Sequence, residues 1–418
     1  MNYYTFFRSN TKILLFAMFL TFFSGFGQTF VLSLYIPSII NEFRINQSLY
    51  STIYALATLV SGITIVFAGK IIDRVPLKTF TLWVILGIFT ANLLAGITMN
   101  LVMLFLAIFM LRFFGQGLLS HTAITSMGRY FSLARGKALS IAILGYPLAE
   151  VVLPISILSI IVAWGWREAF LTSSVMILLI MLPLILFLLK GFDRSKVVEE
   201  KEDKEEKKAT KTKPTNITSK TWSQKEIIRN IKFYVFAPTA FIMGFTQTAL
   251  FFFQIFIAEF KGWSLEWMAI NITAYAIASS AFSILAGPLI DRFSAIRIFP
   301  LVLLPLIAGL LVLTFFTHPA ATTIFWFLVG ISGGTNPTVS NALYAETYGT
   351  LNLGSVRSIF TFVMIISTAA GPVVYSFFLD KGYTFNHIHL GLIGVILLNI
   401  LFILIGLSRI RKKEKVTA

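Results

Sequence analysis

Hydrophobic residues in this chain run in long blocks separated by short polar segments. Twelve blocks are distinguished, at about 12–40, 48–70, 79–98, 101–127, 137–162, 168–190, 231–257, 265–287, 298–317, 321–344, 356–379 and 388–408. A helix needs about 20 residues to cross the hydrocarbon of a bilayer, so each block is a predicted transmembrane span. The pattern predicts an all-α membrane protein of twelve spans. The first block follows Arg8 and Lys12, as a signal peptide would. It runs from Ile13 to about Ile36 without a small-residue cleavage pattern, and reads as the first span.

The blocks fall into two groups of six: an N-terminal bundle over 1–190 and a C-terminal bundle over 230–408, with a basic tail at 409–418. Between the bundles, 191–229 is a charged linker. From Asp193 to Lys213, 15 of 21 residues are charged in mixed sign, which neither crosses a bilayer nor forms a core. It reads as a solvated cytoplasmic tether. Ser223 and Glu226 have the spacing of a capping box, opening a short helix into span seven.

Composition narrows the class. Hydrophobic residues make up 57% and charged ones 12%, with a mean hydropathy of +0.83. That is too little polar surface for a water-soluble globule, which excludes a soluble enzyme, a DNA-binding protein and a disordered chain. There is no cysteine, so disulfides, thiolate metal sites and cysteine nucleophiles are excluded. A net charge of +16 on a soluble protein would point to nucleic acid, but here it is a topology signal. An even number of spans puts both termini on one side. With that side cytoplasmic, 29 of the 34 Lys and Arg residues are inside and four outside (Arg44, Arg167, Lys261, Lys381), with Arg112 left within a span. This asymmetry sets the orientation. Trp164, Trp166, Trp263 and Trp267 fall at outer ends, where interfacial anchors are expected.

The two halves are related. Gly25-Phe26-Gly27-Gln28-Thr29 returns as Gly244-Phe245-Thr246-Gln247-Thr248, Tyr54-Ala55 as Tyr275-Ala276, and Gly69-Lys70-Ile71-Ile72-Asp73-Arg74 as Gly287-Pro288-Leu289-Ile290-Asp291-Arg292, at a nearly constant offset. Gly115 and Tyr130 align likewise with Gly333 and Tyr348. Two like-oriented bundles imply a pseudo-twofold along the membrane normal and a site between them near the midplane.

On these residues the chain resembles the major facilitator superfamily. The loop Gly69-x-x-x-Asp73-Arg74-x-x-x-Lys78 is similar to that family's signature, Gly287-x-x-x-Asp291-Arg292 to its second copy, and Arg112-x-x-Gly115-Gln116-Gly117 to its span-four motif. Pro76 and Leu77 depart from the signature, and Glu150 stands where the antiporter motif of span five prefers Gly. Arg135-Gly136-x-Ala138-Leu139 and Gly165-Trp166-Arg167 are similar to features of the monocarboxylate and oxalate/formate branches. The resemblance implies a transporter whose cavity is lined by spans one, four, seven and ten. It also implies a cytoplasmic latch: Asp73 meeting Arg129 and the start of span eleven near Ser355, flanked by Arg74, with Asp291 and Arg292 acting likewise against span five.

Two full charges, Arg112 and Glu150, lie deep in adjacent antiparallel spans. Each costs at least ~2.5–3.5 kcal/mol at a span centre, so neither is expected to face lipid. Their depths differ by about 6 Å at ~1.5 Å per residue. They are expected to pair or to share the cavity, either as a structural ion pair or with Arg112 binding an anion and Glu150 carrying a proton or orienting Arg112. Arg112, Gln116 and Ser120 form an i, i+4, i+8 stripe, with His121 off it as a bonded neutral histidine or a proton-coupling group. The other candidate contacts are Gln28 and Thr29 in span one, Gln247 and Thr248 in span seven, and Asn336, Ser340 and Tyr344 in span ten. Gln28 and Gln247 are expected to face each other across the axis. Asn336-Pro337 after Gly333-Gly334 predicts a broken or flexible segment, consistent with gating.

No nucleotide motif occurs, and His121, His318, His387 and His389 are too scattered for a metal site, with the last two predicted outside. No cofactor is expected. The chain reads as a monomeric, multi-pass secondary transporter of an inner or plasma membrane. Its partners are the bilayer, a small polar solute, expected to be an organic anion, and a coupling proton; nucleic acid is not among them. The alternatives are a proton-linked drug or metabolite efflux antiporter and a transporter-like solute sensor.

Overall fold

The computed structural model describes residues 3–131, 134–191, 222, 224–349 and 353–417, without side chains at 3, 66, 70, 73, 135, 353–355 and 410–417. The linker apart from its last residues, Ser223 and the turn near Leu133 lie outside the described residues. The chain divides into two compact units, Met1–Thr215 and Asn216–Ala418. Every described element is helical.

In the first unit, span one runs from Tyr3–Phe23 through a 3-10 turn at Ser24–Gly27, breaks at Gln28, and continues as Thr29–Leu32, Ser33–Tyr35 and Ile36–Phe43. Span two is Gln47–Ala68 with the turn Gly69–Asp73, and span three is Leu77–Gly96. Span four comprises Leu101–Met110, a π-helical stretch at Leu111–Leu119, and Ser120–Tyr130. Span five is Arg135–Ile143 and Gly145–Trp164; span six is Trp166–Met176, Ile177–Met181 and Leu182–Leu188.

In the second unit, the short helix Gln224–Arg229 precedes span seven, Ile231–Phe252 and Gln254–Lys261. Span eight is Leu265–Phe293, span nine Ala295–Ile298, Phe299–Leu303 and Leu304–Phe315, span ten Ala320–Tyr348, span eleven Leu353–Asp380, and span twelve Phe385–Thr417. The last helix thus runs on into the basic tail.

Side-chain caps begin several spans. Asn46, Asn100 and Ser264 accept from the amides of Leu49, Met103 and Trp267, donors that would otherwise be orphaned at a helix start.

Eleven helices are long and apolar enough to cross a membrane, with a shorter apolar piece at Thr29–Phe43 completing span one. Span ten is outside that set although it has 29 residues. Thr322, Thr323, Ser332, Thr335, Asn336, Thr338, Ser340 and Asn341 dilute its hydropathy. Elsewhere large apolar side chains point outward, such as Val102 (70% exposed), Ile284 (76%) and Leu398 (67%). Such a surface is unstable in water and suited to acyl chains, so the protein is a multi-pass membrane protein of twelve spans.

Each unit repeats one packing scheme. Span one packs on four and five, two on four, and three on four and six; span seven packs on eleven, eight on ten, and nine on ten and twelve. The closest approaches are made by glycine. A Cβ on Gly27 would lie 2.1 Å from the Leu111 carbonyl and 2.9 Å from Gly115 Cα, and one on Gly334 would lie 2.0 Å from the Ser279 carbonyl. These are backbone-to-backbone contacts between spans one and four and between spans eight and ten, which only a residue without Cβ permits. Gly27 and Gly115 of the repeat motifs therefore have a packing cause, whereas a Cβ on Gly287 would meet nothing within 4 Å.

Span ten is not broken at Asn336-Pro337. Its helix is continuous through Pro337, and the hydroxyls of Thr335 and Thr338 bond the carbonyls of Ile331 and Gly334. The break occurs in span one instead.

Two of the four tryptophans are not interfacial anchors. Trp164 and Trp267 are exposed, but Trp166 and Trp263 are buried and donate to Glu42 (2.7 Å) and the Thr317 carbonyl (2.6 Å). His389 is fully buried near the start of span twelve, against Tyr375 and Phe385, while His387 is exposed and bonds Thr384.

Candidate functional site

The break in span one builds the first part of the site. Gln28 takes an extended conformation (φ −84°, ψ 154°), and its carbonyl accepts from the amides of both Val31 and Leu32. Val31 is the residue that would bond Gly27 in an unbroken helix, so the Gly27 carbonyl is released. Arg112 of span four takes it, donating from NH1 at 3.2 Å, and donates also to Thr29 Oγ1 at 3.3 Å. Its guanidinium lies 5.2 Å over the ring of Tyr54 from span two, and the Tyr54 hydroxyl bonds Thr29 Oγ1 at 2.7 Å. The broken turn, the threonine and the tyrosine together hold the cation, which is 3% exposed. Its Nε is buried without a hydrogen-bond partner.

Arg112 and Glu150 do not pair. No ion pair joins them among the described residues, and Arg112 is committed to spans one and two. The depth estimate of the sequence reading assumed a regular helix. Leu111–Leu119 is instead π-helical, with i→i+5 bonding and a wider turn, so Arg112, Gln116 and Ser120 do not follow a 3.6-residue stripe. Gln28, Gln116 and Glu150 are half-buried, and Thr29 is buried.

His121 faces the signature loop. Its Nε2 lies 3.1 Å from the Gly69 carbonyl, and its ring fills the space that a Cβ on Gly69 would need. Arg129 donates to the Ile72 carbonyl at 3.2 Å, so the end of span four is tied to the loop beside Asp73. The Asp73 side chain lies outside the described residues, as does that of Ser355, and Arg74 is exposed.

In the second unit the repeat-related glutamine plays the part of Thr29. Gln247 Nε2 donates to the hydroxyl of Tyr275, the counterpart of Tyr54, and Tyr275 packs edge-on against Phe251 and Trp326. Thr248 is buried beside it. Asn336, Ser340 and Tyr344 come together on the wall of a cavity of about 180 Å³ between spans seven, ten and eleven. Ser340 Oγ donates to Asn336 Oδ1 at 3.2 Å, and the Tyr344 ring stacks on Phe360 at 4.2 Å.

Asp291 and Arg292 are both exposed, with the Arg292 guanidinium over the Phe293 ring. The carboxylate that secures this loop within the unit is Glu346 of span ten. It accepts from the amides of Ala295 (2.8 Å) and Ile296 (3.2 Å), the first donors of span nine. A carboxylate on helix-start amides complements the helix dipole. Arg129 on the Ile72 carbonyl is the mirror solution in the first unit, a cation on a helix-end acceptor. The sequence reading missed Glu346 because the repeat carries no acid at the matching position, Gly128.

It also missed Glu42. This residue accepts from Trp166 Nε1 and from Arg167 Nε (3.0 Å) and NH2 (2.6 Å), while Arg167 NH1 donates to the Gly96 carbonyl at 3.0 Å. The Gly165-Trp166-Arg167 run therefore clasps the outer ends of spans one, three and six.

Comparison with known proteins agrees with this architecture. No curated protein matches the chain in sequence. Among solved structures, the nucleoside transporter NupG is similar at 11% identity, covering 96% of this chain and 99% of that one, with a TM-score of 0.72. A mutant of NupG gives 0.73 at 11% identity, covering 95% and 100%. A bacterial homolog of the human lysosomal transporter Spinster, in an inward-facing and unoccupied conformation, gives 0.65 at 15% identity, covering 95% of each chain. At these identities the likeness establishes the fold. The sequence model of the Major Facilitator Superfamily matches residues 17–272 and 236–418, which takes in both repeats. The chain therefore belongs to the Major Facilitator Superfamily, and is a membrane transporter rather than an enzyme.

Proposed function

We propose that this transporter carries a small organic anion across an inner or plasma membrane by alternating access, with Glu150 as the site of proton coupling. The observation that supports the anion is Arg112. A guanidinium buried within a span is costly unless its charge is compensated, and among the described residues it has backbone, hydroxyl and aromatic partners but no carboxylate. A carboxylate of the solute would supply the missing charge and a partner for Nε. Gln28, Gln116 and Thr29 of the first unit are the candidate neutral hydrogen-bonding contacts for the solute there, and Gln247, Thr248, Asn336, Ser340 and Tyr344 are the candidate contacts within the second unit. Glu150 is a half-buried carboxylate within a span, with no hydrogen bond or ion pair among the described residues, as a proton carrier needs.

The test is flux in proteoliposomes with an imposed pH gradient. A panel of organic anions, nucleosides and cationic drugs is offered to the wild type, Arg112→Gln and Glu150→Gln. The expected result is anion flux accelerated by the gradient, lost in Arg112→Gln and no longer gradient-driven in Glu150→Gln. Full anion affinity in Arg112→Gln would refute the anion assignment. An unchanged response to the gradient in Glu150→Gln would refute the coupling.

A further inference from the structure

The short helix Gln224–Arg229, on the cytoplasmic side of span seven, is held to the second unit by one flank. Ile227 is buried, Gln224 Nε2 donates to Ser358 Oγ of span eleven at 3.2 Å, and Trp222 packs edge-on against Tyr348 at 5.5 Å. The other flank carries Lys225, Ile228 and Arg229, all exposed, and the exposed Ile231 and Tyr234 continue it into span seven. Cations beside outward-facing apolar and tyrosine side chains, at the end of a span, are suited to the level of lipid headgroups.

Tyr234 is also one end of a groove. An apolar furrow of about 660 Å³ runs between spans seven and twelve. Ala237, Pro238 and Val363 line its less exposed floor, and the exposed Tyr234, Leu398 and Phe402 form its rims. Asn399 Nδ2 ties the two helices together by donating to Thr239 Oγ1 at 3.0 Å. At the cytoplasmic end the helices close up: a Cβ on Gly406 would lie 2.7 Å from Val235 Cγ2. Lys232 and Arg409 each stand three residues, close to one turn, to the cytoplasmic side of that contact. Arg409 follows Phe402 by seven residues and so lies on the groove's face of span twelve. Arg229, Lys232 and Arg409 therefore stand around one mouth. The described residues of these segments offer one acid, Glu226, and neither Arg229 nor Arg409 enters a salt bridge among the described residues.

These features define an occupant. The furrow lies at hydrocarbon depth and opens sideways, so it excludes water and is filled from the bilayer. At about 30 Å³ for each water-sized group, 660 Å³ takes about twenty such groups, the size of one fatty acyl chain. The cations at the mouth select for net negative charge above that chain. We propose that the groove between spans seven and twelve is a site for one anionic phospholipid of the cytoplasmic leaflet, with an acyl chain along Ala237 and Leu398 and its phosphate among Arg229, Lys232 and Arg409. The site lies within the second unit alone and does not depend on which solute is carried. By bridging the short helix and span twelve, the lipid holds the point at which the linker enters this unit.

The experiment reads which lipid occupies the groove. The chain has no cysteine, so Leu398→Cys gives a single attachment point for a fluorophore on the groove rim. Leu179→Cys, at an equally exposed position in span six, is the control. The full chain is placed in nanodiscs of mixed phosphatidylcholine and phosphatidylglycerol, with either lipid carrying brominated acyl chains that quench the label. Phosphatidylglycerol should be preferred at Leu398 by roughly tenfold, as several basic residues act together on an anionic headgroup, and should show no such preference at Leu179. Arg409→Gln should remove part of the preference, and Arg229→Gln with Arg409→Gln should bring it to the control level. Both side chains are exposed, so these variants should melt with the wild type. Glycerol 3-phosphate, a headgroup without a chain, should not relieve the quenching. Equal preference at the two labels, a preference that survives the double variant, or competition by glycerol 3-phosphate would each overturn the proposal. So would a Leu398 label that neither lipid quenches because a second copy of the chain covers it, seen as a dimer by mass.

Discussion

Replacing Gly27 by alanine tests the link between the break in span one and the hold on Arg112. The added Cβ would sit 2.1 Å from the Leu111 carbonyl and 2.5 Å from the Gln116 amide, whereas ordinary contact begins near 3.4 Å. All the atoms it meets are backbone, so no side chain can swing aside, and spans one and four must part by more than an ångström. Overpacking of this kind costs about 1–3 kcal/mol. Parting the helices also pulls the Gly27 carbonyl away from Arg112, and a hydrogen bond to a charged group lost in a buried place is worth about 1.5–3 kcal/mol. The two together come to about 2.5–6 kcal/mol. At about 2–4 °C per kcal/mol for a unit of this size, the melting temperature should fall by roughly 10 °C. The assay is thermal unfolding of the purified protein in detergent or nanodiscs, followed by tryptophan fluorescence. Gly391→Ala is the control. It also lies in a span, but a Cβ there meets nothing within 4 Å, so it should be neutral or stabilising by up to about 1 kcal/mol from helix propensity. A Gly27→Ala protein that melts within a degree or two of the Gly391→Ala protein would refute the argument that this glycine exists for backbone contact.

Three further outcomes follow from the same geometry. Gly334→Ala should destabilise the second unit comparably, because its Cβ would lie 2.0 Å from the Ser279 carbonyl; normal expression and melting would contradict the eight–ten contact. Tyr54→Phe keeps the ring beneath Arg112 and should cost about 1 kcal/mol, while Tyr54→Leu also removes the cation–π contact and should cost a further 1–2 kcal/mol, read from melting of the two variants. Glu346→Gln should reduce stability by about 0.3–1 kcal/mol through loss of charge at the start of span nine, and the difference from wild type should shrink in high salt; a salt-independent difference would deny the electrostatic origin.

Much of the architecture was legible in the sequence because a bilayer imposes few choices. Backbone polar groups in hydrocarbon must bond within their own segment, so a long apolar block dictates a helix, and Lys and Arg counts dictate its direction. Internal duplication then fixed the common packing scheme of the two units, and the family followed from the loop and span-four motifs. The individual roles of residues were not legible in this way. Gln28 and Gln247 occupy the same place in the repeat, and the preceding residue differs, Gly27 against Thr246; span one breaks at Gln28 while span seven runs helical through Gln247. Nor does Arg112-x-x-Gly115-Gln116-Gly117 announce the π-helical stretch in which Arg112 sits.

The sequence by itself determined which segments lie in the membrane, which way they point, that the bundle is doubled, and that two charges are buried within spans. Only the tertiary structure decided where those charges go. The Arg112 partners are 83 and 85 residues away, Glu42 meets Arg167 across 125 residues, and Glu346 reaches back 51 residues to cap span nine. Periodicity constrains neighbours along one helix, whereas these contacts depend on the rotation and separation of helices that touch. Those are set by glycine contacts, a released carbonyl and one wide turn, each a local departure from the regular geometry that sequence patterns assume.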